Sequence, residues 1–85
     1  MQHNGNDDTR MRQCAEGVLV GLKRCTLDVA SGEIVQASRR HHLDSQRVAH
    51  ALVRLAQDVD PEADSNATAV ARYEWGALLP RRRRL

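Results

Sequence analysis

Few residue patterns in this 85-residue chain can support chemistry, and the basic ones are the best organised. Arg47, His50 and Arg54 recur at three- and four-residue steps, which aligns them as one polar stripe along a helix. Arg39 and Arg40 stand at the end of the preceding helical pattern, and Lys23 and Arg24 fall in the turn before that. Such a set can present cations to phosphates, with arginine making forked and stacked contacts. Other chemistry is poorly supplied. There is no nucleotide-binding glycine loop, and no serine or cysteine lies in a nucleophile motif. Cys14, Cys25, His41 and His42 match no usual zinc spacing, and the helical pattern puts Cys14 on a buried face. A structural cysteine or a free thiol is expected there, not a metal. Glu16, Asp28, Glu33 and Asp44 are scattered, with no converging pair for acid–base work. The sequence therefore predicts no enzyme, no metal and no cofactor.

The charge is unevenly placed. Between Arg10 and Gln57 eight basic residues face four acidic ones, although the whole chain carries a formal charge of only +2. Asp58, Asp60, Glu62 and Asp64 follow as an acidic spacer around Pro61, and Arg81 to Arg84 close the sequence. A basic domain, an acidic spacer and a basic tail together suit a polyanion partner, the tail adding affinity without specificity. An ordinary solvated basic face would read the same way. Two cysteines are too few for a secreted disulfide scaffold, so a reducing cytoplasm is the expected setting. No apolar run approaches the roughly 20 residues of a membrane span.

The elements that must position these cations are helices. Phe is absent, and Tyr73 and Trp75 are the sole aromatics, so the core must come from Ala, Val, Leu and Ile. Residues 1–9 read as a flexible lead-in, with Asp8 or Thr9 able to cap a first helix from about Arg10. Its apolar face is Met11, Ala15, Val18, Leu19 and Leu22, while Gly17 and Gly21 suggest that another backbone passes close by. Thr26 caps a second helix from Leu27 to about Arg40, with Leu27, Ala30, Ile34 and Ala37 buried. Leu43 precedes an Asp44 or Ser45 cap for a third helix from about Gln46 to Gln57. Val48, Leu52 and Leu55 form one ridge of that helix, and Ala49, Val53 and Ala56 the next. Residues 58–66 read as a solvated acidic linker. A short fourth helix fits 67–79, with Val70, Tyr73 and Leu78 inward, before Pro80 and the basic tail at 80–85. The expected fold is all-α: a small three-helix bundle over 10–57 with a short fourth C-terminal helix.

The order of residues over about 12–57 resembles the ANTAR family, the RNA-binding domains of bacterial transcription antitermination regulators. Ala15-Glu16-Gly17-Val18-Leu19-Val20, Cys25-Thr26, Ala30, Ile34, Ser38-Arg39, Val48-Ala49 and Leu52-Val53 carry the likeness without a gap. It departs at Ser45, where the family usually has leucine, and at Ser31, where an aromatic is common. The resemblance implies packing roles for Ala15, Gly17, Leu19, Ala30 and Ala49. It also implies binding to RNA hairpins whose loops carry defined bases. On that reading Arg39, Arg40, Arg47, His50 and Arg54 contact the RNA, supported by Lys23 and Arg24. Members usually follow a sensor domain, so a homodimer or pairing with a sensor-bearing protein is a further implied partnership. Two other readings fit the same pattern. One is a protein-interaction module of this fold without RNA binding. The other is a helix-turn-helix DNA binder that places its third helix in a major groove.

Overall fold

A computed structural model describes residues 5–59 and 63–79, with backbone alone for 5–8. Four helices are present among these residues and no strand: α1 Gly5–Lys23, α2 Leu27–His41, α3 Ser45–Gln57 and α4 Ser65–Trp75. The starts of α2, α3 and α4 have local causes. The Thr26 hydroxyl accepts from the Val29 amide at 3.2 Å, and the Asp44 carboxylate from the Gln46 amide at 2.9 Å. Asp64 caps α4 in the same way through the Ala67 amide, 3.4 Å away. Each satisfies a backbone donor that the helix itself leaves unpaired.

The ends of α2 and α3 share one device. His42 and Asp58 adopt the left-handed conformation, with φ of 57° at each. The chain then folds back, so that the Leu43 amide donates to the Ser38 carbonyl at 2.9 Å and Val59 to Arg54 at 3.0 Å. Leu43 is thereby laid half-buried against the core and also precedes the Asp44 cap, so one residue closes α2 and sets the entry to α3.

The core is centred on α3. It packs against each of the other helices, whereas α1 and α4 do not pack on each other among the described residues. Val48, Ala49, Ala51, Leu52, Val53 and Leu55 of α3 are buried. Ala15 and Leu19 meet them from α1, and Ala30, Ile34 and Ala37 from α2. From α4 come Ala67, Val70, Ala71 and Trp75, the last only 3% exposed. The Trp75 indole N–H donates to Glu33 Oε1 at 2.9 Å, so the one large core side chain is hydrogen-bonded at its polar corner.

Several expectations are corrected by this packing. The first helix opens at Gly5, so 5–8 belong to a helix and Asp8 and Thr9 lie within it; residues 1–4 lie outside the described residues. No residue between Leu19 and Ala30 is buried, which leaves Leu22 and Leu27 exposed around the α1–α2 turn, Leu27 at 60%. Cys14 is exposed because α1 turns Met11, Ala15 and Leu19 inward, and Cys14 sits about 100° round from that line. In α4 the inward register is Ala67, Ala71 and Trp75, so Tyr73 points outward and is 78% exposed. That helix ends at Trp75, with Gly76 as its cap, not at Leu79, and Leu78 is exposed.

The close backbone approach that Gly17 and Gly21 suggest is also absent. A Cβ placed at either meets nothing within 4 Å. Gly17→Ala and Gly21→Ala should therefore each stabilise the chain by about 0.5–1 kcal/mol in urea unfolding, because an exposed helical glycine only adds backbone entropy. Destabilisation by either would show that a second backbone does pack there in solution.

Candidate nucleic-acid interface

The structure sorts the candidate cations into two clusters and a remainder. The first lies in the seam between α3 and α4. Arg47 Nε donates to Asp64 Oδ2 at 2.8 Å and its Nη2 to Oδ1 at 2.6 Å, a two-pronged pair. Two turns further along α3, Arg54 Nη2 donates to the Ala63 carbonyl at 3.1 Å, which also accepts from the Thr68 hydroxyl at 3.0 Å. The Arg54 Nε is buried in the same seam with no hydrogen-bond partner among the described residues.

Asp64 thus does two jobs that an acidic linker would not: it caps α4 and clamps Arg47. The hydrogen bonds from Arg47 pull its carboxyl down to about 2, partial burial opposes this, and the Ala67 amide and the charges of Arg47 and Arg54 reinforce it. The same contact pushes the Arg47 guanidinium above its ordinary value. The reading of 58–66 as a solvated linker is corrected at Ala63 and Asp64 and at Ser65 and Asn66, which open α4, while residues 60–62 lie outside the described residues.

The second cluster lines an open groove of about 470 Å³ along α2, between the end of α1 and the end of α4. Lys23 and Arg40 stand on its edges, with Gln36 and the bare backbone of Gly32 between them. Lys23 pairs with Glu33, which also accepts from Trp75. Burial pushes the Glu33 carboxyl up, but the hydrogen bonds from Lys23 and Trp75 outweigh it and hold it below the usual carboxylate range. The Glu33 hydrogen bond raises the Lys23 ammonium in turn. Across the groove Glu74 Oε2 lies 2.9 Å from His41 Nε2 and 3.4 Å from Arg40 Nε.

The remaining candidates are not drawn into either cluster. Arg24 and Arg39 are exposed and His50 is half-buried, and none of the three side chains has a hydrogen-bond or ion-pair partner among the described residues. Arg47, His50 and Arg54 do lie along one line of α3, yet Asp64 and the Ala63 carbonyl engage its two arginines, and Arg47 is the one exposed α3 residue before Gln57. The carboxylates that meet these cations are Asp64 and Glu74 of the C-terminal segment and Glu33 of α2. Sequence spacing points to none of the C-terminal contacts, because partners 17 and 33 residues away depend on how α4 docks. Arg81 to Arg84 lie outside the described residues.

The geometry defines a small all-helical domain with cations on its surface, some free and some held by carboxylates. No helix among the described residues is long and apolar enough to cross a membrane. Comparison with known proteins adds no relative: no protein-family model, curated protein or solved structure matches the chain.

The Asp64 clamp can be checked directly. Its folded value of about 2 lies below the ordinary 3.8, so its contribution is complete above about pH 4 and is lost as pH falls through 2. In a carboxyl-carbon NMR titration Asp64 should titrate near 2 and return towards 3.8 in Arg47→Ala. An unshifted Asp64 in the wild-type chain would contradict the clamp.

Proposed function

We propose that the chain is an RNA-binding module of the ANTAR-like antitermination type, one that takes unpaired loop bases of a hairpin. The observation that carries this reading is the groove along α2. It offers cations at Lys23 and Arg40 for phosphates, and acceptors and donors at Gln36, Glu33 and Glu74 for base edges. Arg39, exposed and unpaired, stands on the same last turn of α2. A mixed polar groove of this kind suits splayed bases better than a uniform duplex backbone. The resemblance over 12–57 supports the same conclusion: of its five packing residues Ala15, Leu19, Ala30 and Ala49 lie in the buried core, whereas Gly17 is exposed.

The ion pairs at the two clusters do not stand against this. The paired cations are partly open, with 53% of the Arg40, 44% of the Arg47 and 33% of the Lys23 side chain exposed to solvent. The carboxylates are less open, 14% for Glu74 and 27% for Asp64, so they act as competitors that a phosphate has to displace. The position of α3 counts against the duplex-DNA alternative, since a helix that packs on three others leaves only Arg47 exposed before Gln57 for a major groove. The protein-interaction alternative draws on a different observation, the exposed Leu22, Leu27 and Val29 around the α1–α2 turn.

Fluorescence anisotropy with a two-hairpin RNA, the same RNA with scrambled loops and a duplex DNA separates these readings. Loop-dependent RNA binding is expected, weakened in Arg39→Ala and Arg40→Ala. The slope of log affinity against log salt should become shallower by roughly 0.7 for each phosphate that a variant no longer neutralises. Equal, weak, salt-abolished binding to all three nucleic acids would overturn the RNA reading and favour the interaction module.

A further inference from the structure

The chain contains two aromatic residues that differ sharply in their use. Trp75 fills the core, whereas Tyr73, two positions earlier, is 78% exposed. In a core so short of large side chains, an outward tyrosine is bulk that the fold does not employ. Nor is its ring left unsupported. The His41 ring meets it edge to face, with centroids 5.6 Å apart and planes at 76°. His41 is itself held by Glu74 at 2.9 Å, and Arg40 reaches the same carboxylate at 3.4 Å. A chain of contacts from α2 through Glu74 thus sets the tyrosine's surroundings.

An edge-to-face contact engages at most one face of the ring, and the exposure of Tyr73 leaves a face open to a planar ligand. Both helices also carry a cation in the neighbouring stretch of chain. Arg40 shares the Glu74 carboxylate with His41, and the Arg72 side chain, next to Tyr73 in α4, is exposed with no partner among the described residues. An oriented aromatic face beside arginines is the arrangement that stacks single-stranded bases while holding their phosphates.

We infer that Tyr73, steadied by His41 and accompanied by Arg40 and Arg72, is a stacking subsite for one unpaired nucleobase of the bound RNA. The inference rests on the RNA-binding reading and deepens it. It places a base contact on α4, outside the stretch that resembles the family, at a residue that sequence spacing assigns to the core. It also gives α4 a part in recognition beyond packing on α3.

The test is a set of hairpin RNAs, each abasic at one loop position, titrated against wild type, Tyr73→Ala and Tyr73→Phe. Tyr73→Ala should bind the intact RNA about five- to a hundredfold more weakly, as expected for removal of one base stack. Tyr73→Phe should bind within about twofold of wild type, because stacking does not need the hydroxyl. Tyr73→Phe should melt with wild type and Tyr73→Ala at most several degrees below it, since the side chain is outside the core and loses only the edge contact with His41. On one abasic RNA the difference between wild type and Tyr73→Ala should disappear. Wild-type affinity in Tyr73→Ala, or a weakening that persists on every abasic RNA, would overturn the stacking subsite and leave the RNA reading standing. Failure of the wild-type chain to bind the intact hairpins would overturn the RNA reading, and the subsite with it.

Discussion

Every other helix leans on α3, and α3 can be enclosed because its side chains carry so little bulk. Alanine, valine and leucine occupy its buried positions, so three neighbours reach it at close range. A phenylalanine-free core has few other ways to fill its volume, and Trp75 supplies the one large side chain from α4. Enclosure has a cost in polarity. Arg54 is drawn partly out of water beside α4 and donates to the Ala63 carbonyl, while Arg47, still partly open to solvent, is met by Asp64. The start of α4 and the pairing of Arg47 are therefore one event, because Asp64 both caps that helix and holds the guanidinium.

That coupling shapes where a polyanion can bind. The α3 stripe, taken alone, is the most regular basic pattern in the sequence, yet its arginines are engaged in a seam. The last turn of α2 is freer. Arg39 is unpaired, Arg40 is half in water, and Tyr73 stands beside His41 across from them. Side chains of this kind favour a partner that offers both phosphates and exposed planar bases. The ion pairs tune such a surface without sealing it, because carboxylate and phosphate compete for the same guanidinium.

Much of the fold is legible in the sequence because its causes are local. Thr26 and Asp44 cap the helices that follow them, and the two apolar ridges of α3 read directly as its buried face, though not its enclosure by three neighbours. The C-terminal segment is harder for a physical reason. Tyr73 and Trp75 differ by about 200° around α4, and only the register in which that helix docks decides which of them turns inward. Asp64 looks like one of several acids in a spacer until α4 begins there and brings it against Arg47. Periodicity equally cannot show that Cys14, Gly17 and Gly21 face open space, since that depends on which side of α1 receives α3. The site is legible as a set of residue types, and its grouping into two clusters is not.

Amide chemical-shift mapping tests most directly whether RNA is received at the α2–α4 face. On titration with a two-hairpin RNA, binding at that face should produce the largest changes at residues 39–42 and 72–75, with smaller ones at Lys23 and Gly32. The amides of Gly17 and Gly21 should stay nearly unmoved. Changes concentrated on α1 around those glycines, or none beyond a weak uniform drift that salt removes, would contradict it.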